Sequence, residues 1–523
     1  MVLLTTSFLY DLVLFGVIFV TTFILYYNYK LSYWKWRGVI TKKTVFPYGN
    51  AEKIVKQKLH FGLEWASMYN DFKKKGQRYG GGYLFMKPVF IPCDLDLIKD
   101  ILQTNFNNFS SHGVYYNEEG DPLTAHLFAL DGERWRNMRV KLTPTFTSGK
   151  MKMMFNRLIE CGDIFKQVIE KHSETGDKFE IKDLTSRLTL DIVASTAFGL
   201  VTNTIEDPDN EFATKCRKIF LPGLQSIIQQ VLQFILPHSF LRIVNIKTVN
   251  PTVSNFFLDV IGKTVDYREK NNVYRKDFLH LLLQLKNRGL VSDDGKIFPQ
   301  NDSEKNSDTS ITFNQLAAQA FVFYFAGFDS SSNLISYAFF ELCNNPEVQK
   351  KVQAEIKDVL EKYDGELTYD SLNEMKYMHM AILETLRKYP SVPILPRQCT
   401  KDYKIPGTNK VIEKGTTTFI PSMAIHYDPD IYPDPDKFDP ERFSDENKAK
   451  RHPSAWLPFG LGPRECIGLR FALMQVKVCL VKVFKDYDVT LNEKTIVPLR
   501  FQNHGIFLVA EGGIWINVSK QNK

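Results

Sequence analysis

Phe459-Gly460-Leu461-Gly462-Pro463-Arg464-Glu465-Cys466-Ile467-Gly468 is the stretch from which the rest of the chain is read. Two glycines let a loop turn tightly where a Cβ would clash. Arg464 stands two residues before a cysteine, and a helical pattern starts directly after it. Cys466 is therefore expected near a helix N-terminus, whose free N–H groups and positive end favour a thiolate. A thiolate with Phe459 on one side and an arginine beside it suits a haem iron: the sulfur ligates the metal, and Arg464 can pair with a haem propionate. Taken alone, the same residues also describe a buried structural cysteine.

Outward from this loop, Gly468–Asp486 reads as a helix and the C-terminus alternates in strand fashion. Thr312 is a cap signal for a long apolar helix reaching about Cys343, and Asn345-Pro346 ends it and opens the helical residues 346–389. Residues 390–440 are rich in Pro and Gly with strand-like pieces, and the polar residues 286–310 read as a solvated loop. Glu133 to about Leu285 is mostly helical, and Tyr83–Pro92 reads as two short strands with a proline break. The fold class is mainly α with minor β-sheets. A composition of 44% apolar and 24% charged residues excludes disordered, collagen-like and coiled-coil chains. The 66 basic against 59 acidic side chains leave a net charge of +7 over 523 residues, too mild to point to nucleic acid. Seven cysteines with no CxxC pair exclude a disulfide framework or zinc module and place the bulk of the chain in a reducing compartment.

Residues 2–27 carry one charge, Asp11. As a helix they would extend ~39 Å, enough to span a bilayer core. No basic start or small-residue cleavage site marks a signal peptide. Lys30, Lys35, Arg37, Lys42 and Lys43 follow without an acid among them, which puts that side in the cytosol. The organisation expected is a membrane anchor at 1–29, a linker at 30–49 and one catalytic domain at 50–523. The apolar stretch Ile219–Leu241, interrupted by Pro222 and Pro237, reads as short helices that pack in the core or dip into the membrane interface.

The loop around Cys466 fills every fixed position of F-x-x-G-x-R-x-C-x-G and so resembles the haem-binding loop of the cytochrome P-450 family. Further strings fall in register with it. Glu384-Thr385-Leu386-Arg387 matches the family's E-x-x-R, and Pro440-Glu441-Arg442-Phe443 its P-E-R-F. The resemblance implies that Glu384, Arg387 and Arg442 hold the haem-side core. Trp135-Arg136-Asn137-Met138-Arg139 matches W-x-x-x-R, whose spacing sets Trp135 and Arg139 side by side on a helix. By resemblance Trp135, Arg139 and Arg397 reach the propionates of haem b, and Cys466 ligates its iron. Ala326-Gly327-Phe328-Asp329-Ser330-Ser331 resembles the family's A-G-x-[D/E]-T-[T/S]. A glycine inside a helix marks close approach by something else, here expected to be dioxygen. An acid followed by an alcohol can pass protons inward through water, which assigns Asp329 and Ser330 to catalysis. Serine in place of the usual threonine keeps the hydroxyl and loses the stiffness of a β-branched side chain.

Strings such as Asp121-Pro122-Leu123-Thr124-Ala125-His126-Leu127-Phe128 and Leu142-Thr143-Pro144-Thr145-Phe146 look like microsomal insect enzymes of P-450 family six, which are detoxifying monooxygenases. That implies an endoplasmic reticulum membrane protein with its catalytic domain on the cytosolic side. It also implies NADPH–cytochrome P-450 reductase as electron donor, with cytochrome b5 as helper, since no flavin or NADPH fingerprint is present. Arg134, Arg136 and Lys141 are candidates for docking such acidic partners. Phe106, Phe109, Tyr115, Phe128, Phe321, Phe325, Val392 and Phe507 are expected to wall an apolar pocket for lipophilic substrates, xenobiotics or insecticides among them. Rival readings are an endogenous-substrate hydroxylase, a haem-thiolate isomerase or ligand-binding protein that does not activate dioxygen, and a structural membrane-anchored protein. The segment Val39–Pro47 lacks the family's Pro-rich hinge, so a less rigid joint between anchor and domain is expected.

Overall fold

The computed structural model describes residues 8–217, 232–233, 236–299 and 309–521. Most of the Ile219–Leu241 stretch and residues 300–308 of the polar loop lie outside them. The principal helices are α1 (Phe8–Leu31), α2 (Phe61–Lys74), α3 (Gly132–Leu142), α4 (Ser148–Thr175), α5 (Ile181–Val193), α6 (Pro251–Lys270), α7 (Phe278–Arg288), α8 (Phe313–Asn344), α9 (Pro346–Lys362), α10 (Lys376–Lys388) and α11 (Leu469–Phe484). Strands β1 (Tyr79–Leu84), β2 (Lys87–Pro92), β3 (Phe179–Glu180), β4 (Leu395–Gln398), β5 (Thr417–Ile420), β6 (Tyr487–Leu491) and β7 (Trp515–Lys520) build two small sheets, ordered β1-β2-β5-β4 and β3-β7-β6. The expected mainly α class holds.

α8 is the axis of the domain. Thr312 and Gln315 form a reciprocal capping box at its start, as the Thr312 signal predicted. Every residue from Ser331 to Cys343 is buried, so the helix has no solvent face there. Asn345-Pro346 ends it and opens α9 at its first turn. α5 lies along α8 and is bonded to its backbone: Thr189 Oγ1 donates to the Phe328 carbonyl at 3.0 Å and Thr185 Oγ1 to that of Ser332 at 3.2 Å. A second core lies between α2 and the β1-β2-β5-β4 sheet.

The expected break in Tyr83–Pro92 falls at Phe85, which takes a positive φ of 55°, and not at Pro88. Pro88 pairs with Tyr83 at the end of the hairpin, before β2 gains β5 as its second neighbour at Val89, where a missing N–H costs little. β4 runs antiparallel to β5 with Arg397 opposite Thr418.

α1 is the one helix among the described residues long and apolar enough to cross a membrane. Its joint to the domain is fastened, contrary to the loose joint expected. Tyr83 donates its hydroxyl to the Leu31 carbonyl at 2.6 Å, and Trp34 Nε1 donates to the Gly82 carbonyl at 2.9 Å. The Trp34 indole is fully buried against Gly81, where a Cβ would come within 2.5 Å of the ring. Phe46 turns back onto α1, 4.9 Å from the Tyr27 ring. Aromatic stacking on a glycine-bared strand does the work a proline hinge would do.

Glu384 and Arg387, one turn apart on α10, have no exposed surface. Arg387 Nε and Nη2 grip the carboxylate at 2.7 and 2.9 Å, and further N–H groups reach the carbonyls of His426 at 2.8 Å and Pro435 at 2.7 Å. Arg442 Nε stands 3.4 Å from the same carboxylate. His426 carries the connection onward: its Nδ1–H faces the Arg387 carbonyl at 3.1 Å while Nε2 accepts the Leu457 N–H at 2.9 Å. The network thus ends two residues before Phe459.

Arg387→Ala should destabilise the fold by about 3–5 kcal/mol, because Glu384 is left buried without its counter-charge. Thermal unfolding of solubilised protein measures this, and an Arg387→Met, Glu384→Leu pair should recover part of the loss. His426 gives a pH prediction. Burial, with Arg387 beside it, pushes the imidazole down from 6.5 to about 3. The folded state therefore binds fewer protons than the unfolded one. Stability is full above the unfolded value and should fall by up to about 1.4 kcal/mol per pH unit as pH drops from about 6.5 toward 3. Denaturant midpoints across that range test it.

Candidate active site

The loop before α11 is shaped by Gly460 and Gly462, at φ 78° and 77°. A Cβ on Gly462 would sit 2.1 Å from the Leu102 carbonyl oxygen, so both conformation and space exclude a side chain there. The Cys466 N–H closes the loop on the Phe459 carbonyl at 2.9 Å. α11 begins at Leu469, so Cys466 lies just ahead of the helix. Its thiol is enclosed by protein yet keeps accessible surface, which therefore faces an interior space. Burial raises the thiol above its usual range, and the Gly468 N–H and the Arg139 charge pull the other way without prevailing. The helix end alone does not make the expected thiolate. A cation bound to the sulfur would.

Ala326 is the counterpart on α8. It is exposed in the middle of a helix whose Tyr324 and Phe328 are buried. Phe323 packs on Phe471 of α11 at 5.3 Å, which brings the Ala326 turn and the cysteine loop to one region. The Gly327 expectation needs correcting: a Cβ there would meet Val193 of α5 at 3.2 Å, so the close approach is helix to helix. The cavity-facing residue is Ala326.

Positive charge gathers around this space from three elements. Arg139 of α3 feels the charges of Cys466 and Glu465. Trp135, one turn earlier and buried, carries the Arg464 guanidinium 4.3 Å above its ring. Arg464 donates to the carbonyls of Ser110 (2.9 Å), Leu127 (3.1 Å), Phe128 (3.4 Å) and Leu130 (2.6 Å), with Asp131 at 3.8 Å. All three of its nitrogens therefore bind backbone, and it fastens the 110–130 segment first. Burial, then Arg397, push it down to about 9. Arg397 on β4 is 2% exposed, donates to the Pro396 carbonyl at 2.8 Å and leaves its buried Nε without a partner. Burial pushes it down to about 10. Three guanidiniums stand against Asp131 and Glu465. A flat dianion whose metal takes a sulfur ligand fits this donor set. The orphaned Arg397 Nε is the specific demand for an acceptor.

Asp329 and Ser330 lie in the next turn of α8. Lys182 of α5 holds Asp329 at 2.5 Å and also donates to Ser332 Oγ at 2.6 Å. Ser330 Oγ donates back to the Ala326 carbonyl at 2.5 Å. Lys182 further lines a cavity of about 290 Å³ with Glu180, Asn333 and Ser336. Nothing in the spacing of the chain announced Lys182, which lies on another helix. His112 and His126 were likewise missed as site residues. His112 stacks on Phe128 at 4.2 Å, and Arg397 and Arg464 both act on its charge.

Of the expected pocket wall, Phe128 is 46% exposed and Phe325 faces Phe507 at 6.2 Å. Phe321 packs on Phe257, and Phe106 backs Trp135. Phe109 is withdrawn: it is fully buried against Tyr403 in the second core. Tyr115 holds the segment after Leu241 through its hydroxyl on the Ile246 carbonyl, 3.1 Å away.

A cysteine loop thus stands opposite a long central helix, with three guanidiniums gathered near it. Residues 53–517 match the family Cytochrome P450, and the chain belongs to that family. It is 40% identical over 487 residues to "Probable cytochrome P450 6a13" of Drosophila melanogaster, covering 93% of this chain and 94% of that one. It is 41% identical to "Probable cytochrome P450 6a14", covering 94% and 95%, and 39% identical to "Cytochrome P450 6a2", covering 94% and 96%, both of the same fly.

The Lys182–Asp329 pair gives a test. Lys182→Met frees the carboxylate to turn from α5 and should raise the share of reducing equivalents lost as hydrogen peroxide. The carbon monoxide spectrum should stay unchanged. Peroxide yield per NADPH consumed is the measurement.

Proposed function

We propose that this chain is a membrane-anchored monooxygenase that inserts one oxygen atom into lipophilic xenobiotics, with Cys466 as the iron ligand of haem b. The observation that carries the reading is Cys466, enclosed but accessible, with Arg139 acting on it and both Arg139 and Arg397 acting on Arg464, against only Asp131 and Glu465. Arg397 Nε, Arg139, Arg464 and the Trp135 indole are the groups that hold the propionates, and Phe459 and Leu461 flank the ligand loop. Bound haem supplies activation of dioxygen and transfer of one of its atoms to a C–H bond.

The protein's own part is protons, position and exclusion of water. Asp329 is held on Lys182, which itself lines the cavity shared by Glu180 and Asn333, so water there can reload it through the lysine. Ser330 turns its hydroxyl off the Ala326 carbonyl to pass a proton toward the Ala326 turn, and the Asp329 carboxyl replaces it. Phe128, Phe325 and Phe507 give the substrate an apolar wall with few polar anchors, which favours breadth over selectivity.

Electrons come from NADPH–cytochrome P-450 reductase, with cytochrome b5 assisting. Arg136 is exposed on α3 and available to them. Arg134 is paired with Glu118 at 3.2 Å, and Lys141 donates to the Ser310 carbonyl at 3.1 Å. α1 anchors the chain in the endoplasmic reticulum membrane with the domain on the cytosolic side, as the basic residues after it favour. Residues 1–29 serve as anchor and 50–523 as the catalytic domain, with 30–49 between them.

The test is the reduced carbon monoxide difference spectrum of membranes carrying the wild type and Cys466→Ala, followed by turnover with added reductase. A far-red-shifted band that disappears in the variant is expected, with oxygenated products from a panel of plant toxins and insecticides. No such band in folded wild type overturns the haem reading. Turnover of an endogenous steroid or fatty acid alone overturns the xenobiotic one.

A further inference from the structure

His112 belongs to no motif, yet the fold pins it among the cations of the site. Ser111 bridges to Gln398, whose N–H donates to the Ser111 carbonyl at 2.8 Å, so the loop is stitched to β4 one residue from Arg397. On its other side Arg464 Nε holds the Ser110 carbonyl. Gly113, at φ 68°, turns the chain away immediately afterwards. The ring is fixed as well: it stacks on Phe128, with Nδ1 2.8 Å from the Phe128 carbonyl oxygen. A carbonyl only accepts, so Nδ1 carries the hydrogen and Nε2 is the free nitrogen. No hydrogen bond to Nε2 is formed among the described residues.

The charged and titratable groups acting on the imidazole are Arg397 from β4, Arg464 from the cysteine loop and His126 from its own segment, and the carboxylate nearest to Arg464 is Asp131 at 3.8 Å. Burial, then Arg397 and Arg464, hold the imidazole well below its ordinary value. Asp131 does not balance two guanidiniums, and burial keeps His126 neutral, down to about 4.

We propose that His112 is a further haem-propionate partner, and that binding of haem carries a proton from solvent onto its Nε2. The proposal rests on the haem reading above. A propionate brought to Arg397 and Arg464 cancels the positive field that adds to burial in keeping the ring neutral, and offers an acceptor for an Nε2–H that offsets the burial. Binding of the dianion and protonation of the ring then favour each other by the same factor. The sign follows: the bound form takes up the proton, so haem is held more firmly as pH falls through the range in which the bound imidazole titrates.

The test uses the holoenzyme and two readouts other than turnover: haem transfer to excess apomyoglobin, and the haem midpoint potential by spectroelectrochemistry. Both are followed from about pH 5.5 to about pH 8.5. For wild type, transfer should accelerate about tenfold to a hundredfold across that range, as a charge-assisted hydrogen bond is lost. The potential should fall over the same interval. His112→Phe should transfer at the fast rate throughout, with a low, pH-independent potential. His112→Arg, with a fixed charge, should stay slow with a high, pH-independent potential. His112→Gln serves where the Phe variant loads poorly, and should resemble it. Parallel pH profiles in wild type and in the Phe or Gln variant, with an intact carbon monoxide band, overturn the proposal and leave the haem reading standing. Absence of the band in wild type overturns that reading itself.

Discussion

A guanidinium with no exposed surface governs the haem-side half of this molecule. Arg387 grips Glu384 with two N–H groups and turns the others on the carbonyls of residues 426 and 435. A buried ion pair is weak evidence for stability in itself, since desolvation offsets most of its attraction. What it supplies here is direction. The long irregular segment between β5 and α11 has few strands or helices to order it, and it is bent to satisfy one planar fork. His426 passes that constraint by a single ring to Leu457, and from there the chain enters the turns that present Cys466. The placement of the sulfur thus depends on a charge pair that does no chemistry.

The site that results is electrostatically incomplete. Arg139, Arg397 and Arg464 arrive from a helix, a strand and a loop, and the protein provides too few carboxylates to meet them. Burial alone would favour their neutral forms, and the thiol of Cys466 is shifted toward its neutral form for the same reason. A cofactor anionic at its edge and cationic at its centre would resolve both tensions at once: the edge would satisfy the guanidiniums and the metal would stabilise the thiolate.

Much of this was legible in the chain because the chemistry is local. The glycines at 460 and 462, the cap at Thr312, the Pro346 boundary and the i,i+3 pair on α10 each act over a few residues, and local rules recover them. The missed features join residues far apart. Lys182 reaches Asp329 across 147 positions, and His112 finds Arg397 only because Ser111 pairs with a strand nearly three hundred residues later. Gly327 was read correctly as a site of close approach, but sequence holds no record that Val193 would be the neighbour. Arg464 was identified by its distance from Cys466, and nothing in that distance tells how many backbone carbonyls compete for it.

The seating of Trp34 on the bared Gly81 strand has a mechanical meaning. Leu31, Trp34 and Phe46 tie the end of α1 to the first sheet with no slack between them. A spanning helix adjusts its tilt to the thickness of the bilayer around it. With α1 set in a bilayer, that adjustment would be carried into the domain as a rotation, like a rudder fixed to its post. The thickness of that bilayer would then set how the domain leans over the membrane.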